Sequence, residues 1–130
     1  MPFAPRSLWP LLICGSLAAP GCGGARKVET GVASWYGKEL RGNPTASGEP
    51  FRPSRRTAAH KTLPFGTVVK VTYLDTGKSV RVTINDRGPF VKGRIIDLSR
   101  RAAQKIGLKD AGVGKVEVKV VGCKGSYDGC

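Results

Sequence analysis

The chain has 130 residues, which is room for one modest core and no second domain. Its 22 lysines and arginines stand against 9 acids, a formal charge of +13. That balance excludes an acidic or neutral surface and calls for an anionic partner, which is nucleic acid, a membrane surface or an acidic glycan.

Arg6 precedes an apolar run over residues 8–19, followed by Ala19-Pro20-Gly21-Cys22. The run is too short to cross a bilayer as a mature helix and reads as an export signal. Small residues just before Cys22 resemble the recognition box of bacterial lipoproteins, in which that cysteine is lipidated and becomes the new N-terminus. Plain secretion and an uncleaved anchor remain alternatives. On the lipoprotein reading, residues 1–21 are the signal and residues 22–28 a tether. The protein is then lipid-anchored in the cell envelope, facing the periplasm from either membrane. Cys14 leaves with the signal and Cys22 carries the lipid, so Cys123 and Cys130 remain as one pair. Two glycines between them make closure of the 123–130 tail feasible in an oxidising compartment. Two cysteines and the single His60 are too few soft ligands for a closed zinc site, and no metal or organic cofactor is expected.

A first strand is expected over residues 29–36, with Val32 and Trp35 among its core candidates. Residues 38–56 contain Gly42, Pro44, Gly48, Pro50 and Pro53, so they form a loop whose length points to function. A short strand is expected over 56–60. Residues 67–73 alternate in the period of a half-buried strand, residues 74–78 turn, and residues 79–84 return with Val80, Val82 and Ile84 on one face. Ile95 and Ile96 lead into Asp97-Leu98-Ser99, where Ser99 caps a helix over 100–106 that Gly107 stops. Residues 116–121 alternate again. Six short strands and one helix in so small a chain favour a closed β-barrel, because closure hides the edges that a small open sheet exposes.

Five motifs then occur in order: Gly31-Val32-Ala33-Ser34-Trp35-Tyr36-Gly37, Thr45-Ala46-Ser47-Gly48-Glu49, Thr57-Ala58-Ala59-His60, Leu63-Pro64-Phe65-Gly66-Thr67 and Asn85-Asp86-Arg87-Gly88-Pro89-Phe90. This series resembles the rare lipoprotein A family of bacterial septal-ring lytic transglycosylases. The resemblance implies a six-stranded double-psi β-barrel over residues 29–122, a fold shared with expansins. It also implies endolytic cleavage of peptidoglycan between N-acetylmuramic acid and N-acetylglucosamine, on strands that lack stem peptides. Carried over residue by residue, the catalytic acids are Asp86 and Glu49, and His60 matches a third polar position. Family members usually carry an aspartate where this chain has Arg52.

Such cleavage uses no water, because the muramic C6 hydroxyl attacks its own anomeric carbon and leaves a 1,6-anhydro end. One carboxyl can protonate the departing oxygen and then take the C6 hydroxyl proton. Asp86 is the candidate for that acid, at the end of a strand and before an open Gly-Pro turn. Glu49 is the candidate to stabilise the oxocarbenium charge, and the two roles are exchangeable. Trp35, Tyr36, Ser47, Asn85, Arg87 and Arg52 are the substrate-binding candidates. The blander readings are a turn-forming Asp86, a solvated Glu49, a structural His60, a core Trp35 and a structural Asp97 near the helix start.

Arg52, Arg55, Arg56, Lys61, Arg87, Lys92 and Arg94 cluster in sequence around these loops, and a basic lining suits a bare, carboxylate-bearing glycan. The expected partners are peptidoglycan strands and, through lipid on Cys22, a membrane. A monomer is expected. The export signal argues against nucleic acid. A non-catalytic, expansin-like glycan binder is the competing function, and Arg52 is the residue that favours it.

Overall fold

The computed structural model describes residues 28–123. Its elements are β1 (Val28–Tyr36), β2 (Thr57–His60), β3 (Thr67–Tyr73), β4 (Ser79–Asp86), β5 (Arg94–Ser99), α1 (Arg100–Ile106) and β6 (Val113–Cys123). A 3-10 turn, Lys38–Leu40, opens the long loop. The strands close into a barrel in the order β1-β5-β2-β4-β3-β6, which is the double-psi β-barrel architecture that the motifs implied. β1 runs parallel to β5 and β2 parallel to β4, while every other neighbour is antiparallel.

The period-two signal in β3 and β4 is the inside-outside alternation of a barrel wall. Val69 and Val71 face inward from β3, and Val80, Val82 and Ile84 from β4, all of them buried. Each such side chain is worth roughly 1.5–3 kcal/mol of burial relative to exposure. Between these two strands, Tyr73 N–H donates to Lys78 O (2.9 Å) and Gly77 N–H to Tyr73 O (2.8 Å), closing the turn. Ile96 and Leu98 of β5 and Val116 and Val118 of β6 complete the filling, and Ile106 of α1 joins the same core.

Ser99 caps α1 as its sequence suggests. Its side chain accepts from Ala102 N–H (3.3 Å) and donates to Arg55 O, so the cap also holds the 50s loop. Gly107 ends the helix at φ 83°, a left-handed backbone that suits glycine.

The first strand departs from its expected pattern. Val32 is only half-buried, and the buried pair is Ala33 and Ser34. The register of β1 on β5 shifts between Val32 and Ala33, which puts two consecutive residues out of solvent. Trp35 packs against the core from a half-buried position, its Nε1–H donating to Lys109 O (3.1 Å). Asp86 lies within β4 as its last residue rather than in the turn beyond it. Cys22, the candidate lipidation site, and Cys130 lie outside the described residues. Cys123 is disulfide-bonded.

Candidate active site

The loop before β2 folds back onto the end of β4, and each residue of Thr45-Ala46-Ser47-Gly48-Glu49 has a part in that contact. Thr45 is buried, and its N–H and hydroxyl both donate to Glu49 O (2.7 Å each). Gly48, at φ 93°, closes the turn with its N–H on Thr45 O (2.9 Å). The turn so formed presents Ala46 N–H to Asp86 Oδ1 (2.9 Å) and Ser47 N–H to Asn85 O (3.2 Å). Asn85 Nδ2–H in turn donates to Glu49 Oε1 (3.3 Å).

Asp86 and Glu49 therefore belong to one hydrogen-bonded unit, although they come from different elements. Asp86 Oδ1 also accepts from Arg87 N–H (2.9 Å). Two backbone donors occupy that oxygen, and Oδ2 has no hydrogen-bond partner among the described residues. A carboxyl held this way carries any proton on Oδ2, because Oδ1 is already committed as an acceptor. Glu49 is exposed, and its Oε1 accepts from Asn85 and from the Ser47 hydroxyl (3.4 Å).

A groove of about 1000 Å³ has Ser47, Glu49 and Asn85 of this unit in its lining, while Asp86 adjoins that lining through Asn85 and is not itself part of it. Arg52, Arg55 and Arg56 line it from the loop, Arg81 and Thr83 from the outer face of β4, and Arg101 from α1.

Tyr36 approaches Asp86 from β1. Its ring packs on Phe51, with centroids 4.5 Å apart, and its hydroxyl is buried with no hydrogen-bond partner among the described residues. Burial first, then the negative charges of Asp86 and Asp97, push its pKa well above the ordinary 10.0. The folded protein thus holds this phenol neutral where the unfolded chain ionises it. The stabilisation is complete below pH 10.0 and is lost as pH rises beyond it. Urea titrations between about pH 9 and 11 should show stability falling more steeply in the parent than in Tyr36→Phe. Equal slopes would mean that the phenol is not held neutral.

His60 is buried, and both of its ring nitrogens are engaged. Nδ1 accepts from Thr62 N–H and Leu63 N–H (3.1 Å each), so the ring proton sits on Nε2 and is donated to Glu29 (2.9 Å). The residue does not line the groove. Arg87 lies over the Phe65 ring at 4.1 Å and donates to Leu63 O (2.8 Å) and His60 O (3.3 Å), pinning the loop between β2 and β3. Arg94 is tied to Asp97 (3.0 Å) and to Ser34, which also donates to Asp97.

Two features escaped the sequence reading. Phe90, just beyond Asp86, is 84% exposed, which is uncommon for so large an apolar ring. An aromatic at the open end of the Gly-Pro turn was the available signal. Arg81 and Arg101 join the groove from positions distant in sequence from its loop arginines, and no local pattern marks them.

Residues 28–118 match the family model described as lytic transglycolase. The chain belongs to the lytic transglycolase family. Within it, the chain is 55% identical over 93 residues to the endolytic peptidoglycan transglycosylase RlpA of Vibrio cholerae, covering 72% of this chain and 35% of that protein. The first curated relatives are 25–35% covered, so the chain spans about a third of their length. Among solved structures, the barrel resembles the Streptomyces papain inhibitor, with a TM-score of 0.59 and 28% identity over 73% of this chain and 96% of that one. It also resembles the apo expansin of Clavibacter michiganensis, with a TM-score of 0.57 and 25% identity over 78% of this chain and 52% of that one. Membership in the lytic transglycolase family thus rests on the whole barrel and not on the site motifs alone.

Proposed function

We propose that the barrel is an endolytic peptidoglycan lytic transglycosylase acting on peptide-poor glycan strands. The observation that carries this reading is the shared unit in which Asn85 and the 45–49 turn join Glu49 to Asp86, a unit whose Ser47, Glu49 and Asn85 line the groove. Relatives named as peptidoglycan transglycosylases support it. Asp86 Oδ2–H gives its proton to the glycosidic oxygen as the muramic C1–O bond breaks. The C6 hydroxyl oxygen then bonds to C1, and its proton returns to Asp86, which restores the acid without consuming water. Glu49 opposes the positive charge that develops on the ring between those steps. His60 acts at one remove, by holding the Thr62-Leu63 turn against β2. The protein works in the bacterial envelope as a monomer, held to a membrane through lipid on Cys22, and Cys123 pairs with Cys130.

Phe90 supplies an exposed ring in the turn that follows the acid in sequence, suited to stacking on the apolar face of a sugar. Phe90→Ala should weaken strand binding by about tenfold while leaving the melting temperature unchanged, since the ring buries little. Unaltered binding would remove Phe90 from the substrate path.

The direct test is incubation of the protein with peptide-free strands and analysis of the fragments for 1,6-anhydro ends. A second reading, a non-catalytic glycan binder, is favoured by Arg52 and by the likeness to expansin. It predicts retained binding and no anhydro ends at any pH.

A further inference from the structure

The groove is far more basic than holding its own loops together requires. Arg52, Arg55, Arg56, Arg81 and Arg101 line it, and Glu49 is its one acid. A smaller cleft of about 390 Å³ adjoins it, sharing Arg52 and Arg101 and adding Arg41 and Arg100. The five groove arginines are exposed, and among the described residues none of their side chains makes an ion pair or a hydrogen bond. They converge from three elements: the loop before β2, the outer face of β4 and the first turn of α1. Clustering like charges works against the folded state, and Glu49, the one acid in the lining, is outnumbered five to one.

We infer that these arginines form a carboxylate-reading subsite that extends the cleavage site along the strand. Each guanidinium is permanently charged and planar, and it pairs with a carboxylate through two parallel hydrogen bonds. The ligand that fits is a linear glycan with a free carboxylate on alternate sugars, which is a strand whose lactyl groups carry no peptide. An amide at that position removes both the charge and the second acceptor oxygen.

Two other polyanions fit less well. Single-stranded nucleic acid needs a succession of exposed stacking rings along the groove, whereas the one aromatic in the lining, Phe65, is covered by Arg87 and the exposed Phe90 is a single ring outside that lining. A membrane presents a plane of headgroups, whereas these arginines line a concavity and cannot all meet a plane at once.

This inference rests on the transglycosylase reading for the path of the strand, and one experiment separates the two. The full chain and its triple variant Arg55→Gln, Arg81→Gln, Arg101→Gln are titrated against fluorescent peptide-free strands, the same strands with their carboxyls converted to methylamides, and single-stranded DNA. Among the described residues the three side chains make no hydrogen bond or ion pair, so equal melting temperatures are expected. The variant should bind the acidic strands at least about tenfold more weakly. Its affinity should also fall less steeply as salt rises from about 50 to 200 mM. Both proteins should bind the methylamide strands alike and weakly. Equal binding of acidic strands by parent and variant would overturn the inference, as would methylamide strands or DNA binding the parent as tightly as acidic strands do. Anhydro ends are scored in the same samples. Arginine-dependent binding without them keeps the subsite and removes the lyase, and anhydro ends with arginine-independent binding do the reverse.

Discussion

Asp86→Asn is expected to lower the rate of anhydro-end formation by about 10²–10⁴, the usual contribution of a positioned general acid-base. The asparagine keeps the shape of the site. Its carbonyl oxygen can still accept from Ala46 N–H and Arg87 N–H, the two bonds that tie the 45–49 turn to β4. Only Oδ2 changes, from a group that can give and retake a proton to an amide that cannot. Strand binding and melting temperature should therefore stay close to those of the parent. An active Asp86→Asn protein would exclude Asp86 as the proton carrier and shift that role to Glu49. An unfolded one would instead show that the carboxylate is needed to dock the turn, a result that Asp86→Glu, with its longer reach, would not rescue.

Gly114→Ala should destabilise the barrel by about 2 kcal/mol or more. A Cβ at this position would lie 2.4 Å from Tyr73 Cε1 and 2.8 Å from Leu108 Cδ1. Tyr73 and Leu108 are both buried, so neither can swing into solvent. Gly114 sits opposite Ala33 where β6 pairs with β1, and two small residues there let the strands and the Tyr73 ring close up. The backbone at Gly114 is ordinary, so the penalty is steric rather than conformational. For a domain of this size, the melting temperature should drop by about 10 °C. Gly122→Ala is the matched control, since a Cβ there would meet nothing within 4 Å. A Gly114→Ala protein as stable as Gly122→Ala would mean that the β1-β6 seam is looser than the structure has it.

These two residues mark what the sequence displays and what it hides. The alternation through Val80, Val82 and Ile84 was legible because an antiparallel wall with one buried face imposes a strict period of two. Ser99 and Gly107 were legible because a helix end needs a side-chain acceptor at one terminus and a left-handed residue at the other. β1 was misread at Val32 because a register shift breaks that period, and nothing local in Gly31-Val32-Ala33-Ser34 announces where a bulge falls. The motifs single out Asp86 and Glu49 as candidates, yet the bond from Ala46 N–H to Asp86 depends on how a proline-rich loop folds back, which is set by tertiary closure. Arg87 and Arg94 show the same limit from the other side. Their sequence positions group both with the groove, and both are engaged with carbonyls, a ring or a carboxylate of the fold itself. The groove's actual basic lining takes Arg81 and Arg101 instead, because strand pairing and helix docking, not sequence distance, decide which cations meet.

In the proposed reaction the C6 hydroxyl attacks internally, Asp86 carries the proton and no water is consumed. Digestion of peptide-free strands in water enriched in oxygen-18, followed by mass analysis of the new ends, distinguishes this route from hydrolysis. The account predicts anhydro ends lighter by one water than hydrolysis products and free of the heavy isotope. Reducing ends that carry oxygen-18 would make the protein a hydrolase, and intact strands after prolonged incubation would make it a binder; either result contradicts the mechanism.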